Sequence, residues 1–216
     1  LVLDRPAGDD AALRRAMGLE GEGPVLIAGS THEGEEEILV GVYRRLAADV
    51  PGLRLVVAPR YVERSGRILS MFAEAGFPAR LRSGGAAAGP AAVVVLDSIG
   101  ELAAAYRLAT LAFVGGSFVR RGGQNVLEPA AQGKPVLFGP HMESFKDSVQ
   151  VLVGRGGIQV ATPEQLLRVT RELLSRPDEI LRLGEMARQA VGAVRGASAR
   201  NVEHMLRAIP RPKGTP

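Results

Sequence analysis

Residues 113–131 bring together the residue types of a ligand site. The segment contains glycine pairs at 115–116 and 122–123, followed by Asn125 and Glu128. Glycine lets the backbone approach a ligand closely. A carboxylate one turn into a helix can accept both hydroxyls of a ribose, while the helix N-terminus faces a phosphate. Two tight turns around a helix cap are the alternative, but the close spacing of the two glycine pairs favours a nucleotide pocket.

A second candidate segment combines small, hydroxyl and acidic residues after an apolar run. Ser30, Thr31 and His32 follow Val25–Gly29 and precede Glu35. Backbone N–H groups and hydroxyls before a helix can bind an anion, and they can equally serve as an ordinary N-cap. His32 is a candidate proton carrier without a visible partner. The three glutamates at 35–37 are expected to lie near the positive end of the helix dipole.

Three further loops carry polar residues after apolar runs. Arg60, after Pro59, can clamp a phosphate or carboxylate, or it can pair with Glu63. Gly100 leaves room for a ligand in a loop where Asp97 or Ser98 is expected to cap the next helix. His141 either lines the site or caps the helix that begins near Ser144.

The elements that must position these loops form a regular alternation. Short, continuously apolar runs are typical of strands buried on both faces, and helical patterns lie between them. The runs are Val25–Ala28, Leu53–Val57, Val93–Leu96, Leu111–Val114 and Pro135–Phe138. This alternation predicts the α/β class: a doubly wound, Rossmann-like parallel sheet with helices on both faces. In such sheets ligands bind beyond the carboxyl ends of the strands, where the candidate loops lie.

The rest of the chain divides into a leading segment, one domain and a tail. We expect a linker and leading helix over residues 1–20, the Rossmann-like domain over 21–209, and a disordered tail over 210–216. Thr162 and Pro163 are expected to cap and begin one late helix, and Pro177 to begin another. The polar start at Leu1 leads us to expect the C-terminal part of a larger protein.

Composition narrows the classes of function. The chain has 216 residues, a net charge of +4, no cysteine and three dispersed histidines, so no metal site and no cofactor are expected. Basic residues scattered over helices, with few aromatics, argue against a nucleic-acid partner. No apolar run reaches the roughly 18 residues of a membrane-spanning helix.

Taken together, these motifs resemble the C-terminal half of the bacterial 3-deoxy-D-manno-octulosonic acid (Kdo) transferases. These are glycosyltransferases built from two Rossmann-like domains, the GT-B type. The resemblance extends from about residue 1 to about residue 160. The matching segments are Ala28–Glu36, Ala58–Arg60, Glu63–Arg64, Gly100–Leu102, Phe113–Ser117, Arg121–Gly123, Asn125, Leu127–Ala131 and Gly139–His141.

The resemblance implies a function and a set of donor contacts. It implies transfer of Kdo from CMP-Kdo to a lipid A precursor in lipopolysaccharide synthesis, in the cytoplasm at the inner membrane. The general base, the acceptor surface and the membrane association belong to an N-terminal domain that this sequence lacks. The CMP contacts fall on Pro59, Arg60, Ile99, Gly100, Glu101, Asn125, Val126, Leu127 and Glu128. Further candidates are Ser30, Thr31, His32, Gly116, Ser117 and His141.

Three positions depart from the family pattern. Gln124 stands where histidine is common, Tyr61-Val62 replaces His-Pro, and Val2 lies near an expected lysine of the linker. The first two could retune the pocket without abolishing it. Two other functions stay open: the donor domain of a UDP-sugar transferase or epimerase, and a stand-alone nucleotide-binding module.

Overall fold

A seven-stranded parallel sheet lies at the centre of the molecule. The computed structural model describes residues 10–19, 21–84 and 91–208. The strands are β1 (Val25–Thr31), β2 (Arg54–Pro59), β3 (Ala79–Leu81), β4 (Val93–Val95), β5 (Leu111–Val114), β6 (Val136–Phe138) and β7 (Gly157–Gln159). Their order is β3-β4-β2-β1-β5-β6-β7, and all neighbouring strands run parallel.

Helices cover both faces of this sheet. They are α1 (Asp10–Met17), α2 (Glu35–Asp49), α3 (Ser65–Glu74), α4 (Leu102–Ala105), α5 (Leu127–Ala131), α6 (Lys146–Leu152), α7 (Pro163–Leu174) and α8 (Pro177–Ala208). Side chains of α2, α3 and α7 pack with one set of strand residues. Those of α1, α4, α5 and α6 pack with the alternate set, and α8 contributes to both. The predicted doubly wound, Rossmann-like fold is confirmed.

The packing of the core explains why the longer strands could be predicted from the sequence. Successive residues of β1 alternate between the two faces: Leu26 and Ala28 enter one cluster, and Val25 and Ile27 enter the other. All four side chains are buried because helices cover both sides. A strand covered on both faces is therefore apolar at every position rather than at every second one.

Two edge strands escaped the sequence prediction, which counted five strands. β3 and β7 have three residues each, and Arg80 and Gln159 interrupt their apolar character. A short edge strand has one pairing neighbour and needs no continuous apolar run. The predicted starts of α7 and α8 are confirmed at Pro163 and Pro177.

The predicted boundaries of the domain stay predictions. Met17, at the end of α1, and Leu19 are fully buried in the cluster that contains Val25. The tail at residues 210–216 and the departure at Val2 lie outside the described residues. Within the described part of the chain, no helix is both long and apolar enough to cross a bilayer.

Tyr43 is expected to make the stability of the fold sensitive to alkaline pH. Its buried hydroxyl donates to the carbonyl oxygens of Leu53 at 2.8 Å and Ala92 at 3.1 Å, and burial raises its pKa to about 12. A raised phenol pKa means that this contribution is complete below pH 10 and is lost as the pH rises through 12. We expect Tyr43→Phe to cost about 1 kcal/mol at pH 8 and progressively less above pH 10. Urea unfolding of wild type and Tyr43→Phe at pH 8 and above pH 10 measures the difference between their free energies of unfolding. A difference that does not change with pH would contradict this role of Tyr43.

Candidate functional site

The candidate residues gather where the sheet changes winding direction. From β1 the chain passes to β2 on one side, whereas β5 pairs with β1 on the other side. The loops that leave β1 and β5 therefore separate at the carboxyl edge and open a crevice, as is usual in doubly wound sheets. The loops after β2, β4 and β6 end at the same edge, because all strands are parallel.

A cleft of ≈ 340 Å³ opens among the loops after β1, β2 and β4. Five predicted site residues line it: Ser30, Pro59, Arg60, Ile99 and Gly100. They come from three separate parts of the sequence. The structure thus brings together the strand-end residues that the motifs had selected one by one.

The walls of this cleft combine one free cation with exposed apolar surface. Arg60 is exposed, and among the described residues it forms no ion pair, including with Glu63. Its guanidinium lies 5.8 Å from the centre of the Tyr61 ring, which is 57% exposed. Ile99 is 88% exposed. A cation beside exposed apolar side chains suits a ligand with an anionic group and a flat organic group.

Glu101 fixes the loop after β4. Its carboxylate accepts a hydrogen bond from Arg82 at 3.1 Å and another from the hydroxyl of Ser98. The expectation that Asp97 or Ser98 caps the next helix is wrong. α4 begins only at Leu102, and Asp97 instead accepts hydrogen bonds from the backbone N–H and hydroxyl of Ser83. These contacts occupy the polar groups of the loop and leave Ile99 and Gly100 exposed.

Ser30 lies at an irregularity in β1. The register with β2 shifts between Gly29 and Thr31, and Ser30 has a φ of 55°. A non-glycine residue in the left-handed region is strained, and bulges of this kind often re-aim a strand end beside a functional site. Ser30 lines the cleft, and the ring of His32 lies near Gly116 in the loop after β5.

Glu35 is the main structural feature that the sequence prediction missed. Its fully buried carboxylate accepts four backbone N–H groups at 2.7–3.0 Å. The donors are His32, Gly116, Ser117 and Phe118. Gly115 must be glycine, because a Cβ there would lie 2.7 Å from Glu35 Oε2. Glu35 therefore joins the loop after β5 to the loop after β1 and shapes the switch-point crevice.

All three glutamates lie in the first turn of α2, as expected, but Glu36 is buried like Glu35 and has further partners within the protein. Glu36 accepts from the Thr31 hydroxyl and from Arg64, both at 3.1 Å. Burial raises the pKa of Glu36, although the Arg64 contact acts in the other direction. Glu37 is the exposed member of the three, and it accepts the Gly34 N–H at 2.9 Å.

Three of the further candidates have their polar groups engaged within the protein. The Thr31 hydroxyl donates to Glu36, and the Gly116 N–H donates to Glu35. The Ser117 hydroxyl donates to the Val114 carbonyl at 2.6 Å and accepts the Gly139 N–H at 2.9 Å. Thr31, Gly116 and Ser117 therefore build the loops rather than present free donors.

His32 belongs to the loop after β1, its ring lies near Gly116 of the loop after β5, and 7% of its surface is exposed. Its Nδ1 lies 3.2 Å from the Ser30 carbonyl oxygen, and its ring meets Tyr61 edge to face. Burial lowers the pKa of His32; Glu35 opposes this shift, while Arg121 and Arg60 reinforce it. A neutral imidazole at physiological pH is the consequence.

The start of α5 presents Glu128 through a local turn. The Asn125 side-chain oxygen accepts the Leu127 N–H at 3.0 Å, and its amide donates to Glu128 Oε1 at 3.2 Å. No hydrogen bond to Glu128 Oε2 occurs within the described part of the chain. Val126 is buried and anchors the turn, while Leu127 and Glu128 are partly exposed. One carboxylate oxygen is thus oriented and the other is available.

Glu128 is not among the residues that line the first cleft, but Tyr106 lies near both. Burial raises the pKa of the Tyr106 hydroxyl, and the charge of Glu128 raises it further. The same hydroxyl approaches Gly29 so closely that a Cβ at Gly29 would lie 1.9 Å from it. Leu102, also close to Gly29, lines the cleft.

His141 lies in a second cavity on the β5 and β6 side. Its Nδ1 is 3.4 Å from the Glu143 carboxylate, and α6 begins beyond it at Lys146. Gln124, the departure from histidine, lies near Gly116, where a Cβ would come within 3.4 Å of its Cγ. Among the described residues, no cluster of three or more histidine, aspartate and glutamate side chains could hold a metal ion.

The sequence is similar to those of several 3-deoxy-D-manno-octulosonic acid transferases. No model of a protein family matches the sequence. The chain is 37% identical to a 3-deoxy-D-manno-octulosonic acid transferase of Haemophilus influenzae over 82% of this chain and 42% of that protein. It is 33% identical to one of Bordetella pertussis over 83% of this chain and 44% of that protein. The chain therefore spans less than half the length of these relatives.

The fold is similar to a solved domain over nearly all of that domain. This solved structure is the C-terminal CMP-Kdo binding domain of WaaA from Acinetobacter baumannii, one of several similar structures, with a TM-score of 0.74 and 27% identity. It covers 84% of this chain and 95% of that one.

Proposed function

Since this chain belongs to the Kdo transferase family, we propose that it is the domain that binds the CMP-Kdo donor of a glycosyltransferase. The full protein transfers Kdo to a lipid A precursor. The general base, the membrane association and the surface that holds the body of the acceptor belong to a further domain that acts in the cytoplasm at the inner membrane.

The observation that carries the proposal is the composition of the first cleft. Four residues that the family resemblance assigns to donor contacts, Pro59, Arg60, Ile99 and Gly100, line this single cleft. They come from two loops separated by some 40 residues of chain. A family match at the level of sequence alone does not require these residues to share one concave surface.

The chemistry of the donor matches the polar groups of the site. A CMP-activated sugar leaves as a nucleoside monophosphate, so negative charge grows on the phosphate during transfer. Arg60 can donate two parallel hydrogen bonds to that phosphate. Glu128 Oε2 is available for the ribose hydroxyls, and Tyr61 and Ile99 offer apolar surface to the base.

Arg60→Ala tests the phosphate contact. We expect the Kd for CMP to rise roughly 10- to 100-fold, because a charge-assisted hydrogen bond is lost. The affinity for cytidine, which lacks the phosphate, should stay within about twofold of the wild type. Arg155→Ala, an exposed arginine before β7 at the opposite edge, is the matched control. Calorimetric titration measures all three proteins. Equal CMP affinity in Arg60→Ala and wild type would refute the assignment.

A further inference from the structure

A second cavity lies on the other side of the switch point. Its volume is ≈ 760 Å³, and it is lined by Arg120, Arg121, Gly122, His141, Glu143 and Ser144. The donor contacts that the family resemblance assigns do not include either arginine. The cavity is formed by the loops after β5 and β6, whereas the first cleft is formed by those after β1, β2 and β4.

The wall that carries the two arginines is built rigidly. The Gly123 N–H donates to the Gly116 carbonyl at 2.9 Å and closes the loop after β5. The Ser144 N–H donates to the Gly122 carbonyl at 3.0 Å and joins this loop to the one after β6. Gly122 has a φ of 79°, and a Cβ there would lie 2.3 Å from Ser144 Oγ. The backbone beneath the arginines is therefore fixed.

The charge in this cavity is not balanced. Arg120 and Arg121 are exposed, and within the described part of the chain neither forms an ion pair. The one lining carboxylate, Glu143, lies beside His141 instead. Two guanidinium groups against one carboxylate leave an excess of positive charge in a concave surface, which favours an anion.

The two cavities are neighbours across His32. Arg60 on one side and Arg121 on the other both influence the imidazole electrostatically. His32 itself contacts Tyr61 of the first cleft, and its ring lies near Gly116 of the loop after β5. A group joined to the phosphate of a nucleotide in the first cleft can therefore extend toward the arginines.

We propose that Arg120, Arg121 and His141 form an oxyanion subsite for the carboxylate of an acidic donor sugar or a phosphate group of the acceptor. This proposal rests on the proposed function, because it places the nucleotide in the first cleft. A guanidinium group matches either anion with two parallel N–H bonds. His141 adds a further hydrogen-bonding group, and Glu143 orients it.

Calorimetric titration with three probes tests the subsite. The probes are CMP, CMP-N-acetylneuraminate, which carries a carboxylate on its sugar, and a glucosamine disaccharide bearing two phosphates. If the sugar carboxylate is the ligand, Arg121→Ala raises the Kd for CMP-N-acetylneuraminate roughly 10-fold or more and the Kd for CMP less than about twofold. If the acceptor phosphate is the ligand, Arg121→Ala raises the Kd for the disaccharide alone.

The controls separate this inference from the proposed function. Arg155→Ala should bind every probe as the wild type does, and equal urea midpoints should show that the variants are folded. Unchanged binding of CMP-N-acetylneuraminate and of the disaccharide to the Arg120→Ala, Arg121→Ala double variant would overturn the subsite. The proposal that the first cleft binds CMP would then still stand. Failure of CMP to bind the folded wild type would instead reject the proposed function, and the disaccharide would still test the arginines.

Discussion

Glu35→Ala is expected to lower the free energy of unfolding by about 3–5 kcal/mol, the range for breaking a buried charged network. The substitution leaves four backbone N–H donors without their acceptor, three of them consecutive at residues 116–118. Water reaches these groups only if the loop after β5 leaves its position, since Gly115, Gly116 and Ser117 are buried. Urea unfolding measures the loss through the midpoint and slope.

Two further variants separate the charge of Glu35 from its volume. Glu35→Gln keeps the shape but turns an amide donor toward backbone donors, so we expect it to recover only part of the loss. Glu37→Ala removes an exposed carboxylate from the same helix turn and should cost about 1 kcal/mol or less. A loss in Glu35→Ala no larger than that in Glu37→Ala would contradict the role of Glu35 as the link between the two loops.

Glu128→Ala is expected to raise the Kd for CMP roughly 100-fold, equivalent to the loss of about 3 kcal/mol from two hydrogen bonds to a charged acceptor. Asn125 holds one carboxylate oxygen at 3.2 Å and leaves Oε2 for the ligand. A carboxylate oriented in this way can accept hydrogen bonds from the ribose hydroxyls. Calorimetric titration of wild type and variant measures the change.

A second ligand shows whether Glu128 acts on the ribose. dCMP lacks the 2′-hydroxyl, so the wild type should prefer CMP and Glu128→Ala should lose most of that preference. Glu185→Ala, an exposed carboxylate paired with Arg188 on α8, is the control and should leave both affinities unchanged. An undiminished preference for CMP over dCMP in Glu128→Ala would show that the carboxylate does not contact the ribose.

The sequence predicted the fold well because burial on both faces leaves a direct mark on composition. Each of the five longer apolar runs forms a strand, and the helices between them follow from their own periodicity. β3 and β7 left no such mark, because Arg80 and Gln159 interrupt their apolar character and an edge strand pairs with a neighbour on one side only. Strand number was therefore the weakest part of the fold prediction.

The site was predictable where residue type and strand position coincide. Arg60, Ile99 and Gly100 follow directly after strands, and parallel topology places them at one edge. Glu35 could not be recognised in this way, since its partners at 116–118 lie more than 80 residues later in the chain. A run of three glutamates at a helix start predicts dipole compensation, and only the folded structure shows that two of them are buried.

The hydrogen-bond partners of the loop residues Asp97 and Ser98 could not be predicted from the sequence either. Asp97 and Ser98 have the residue types of helix caps, but Ser83 and Glu101 take their side chains instead. The Ser83 partner comes from a segment before β4. Capping residues compete between local and distant backbone groups, and sequence shows only the local ones.

The ratio of the affinities for CMP and UMP tests the central claim most directly. Calorimetric titration of the wild-type chain should give saturable binding of CMP with a Kd at least about tenfold below that of UMP, a difference of about 1.4 kcal/mol. The same titration with UDP should give no tighter binding than CMP. Tighter binding of UMP or UDP, or no nucleotide binding by the folded chain, would contradict its assignment as a CMP-Kdo donor domain.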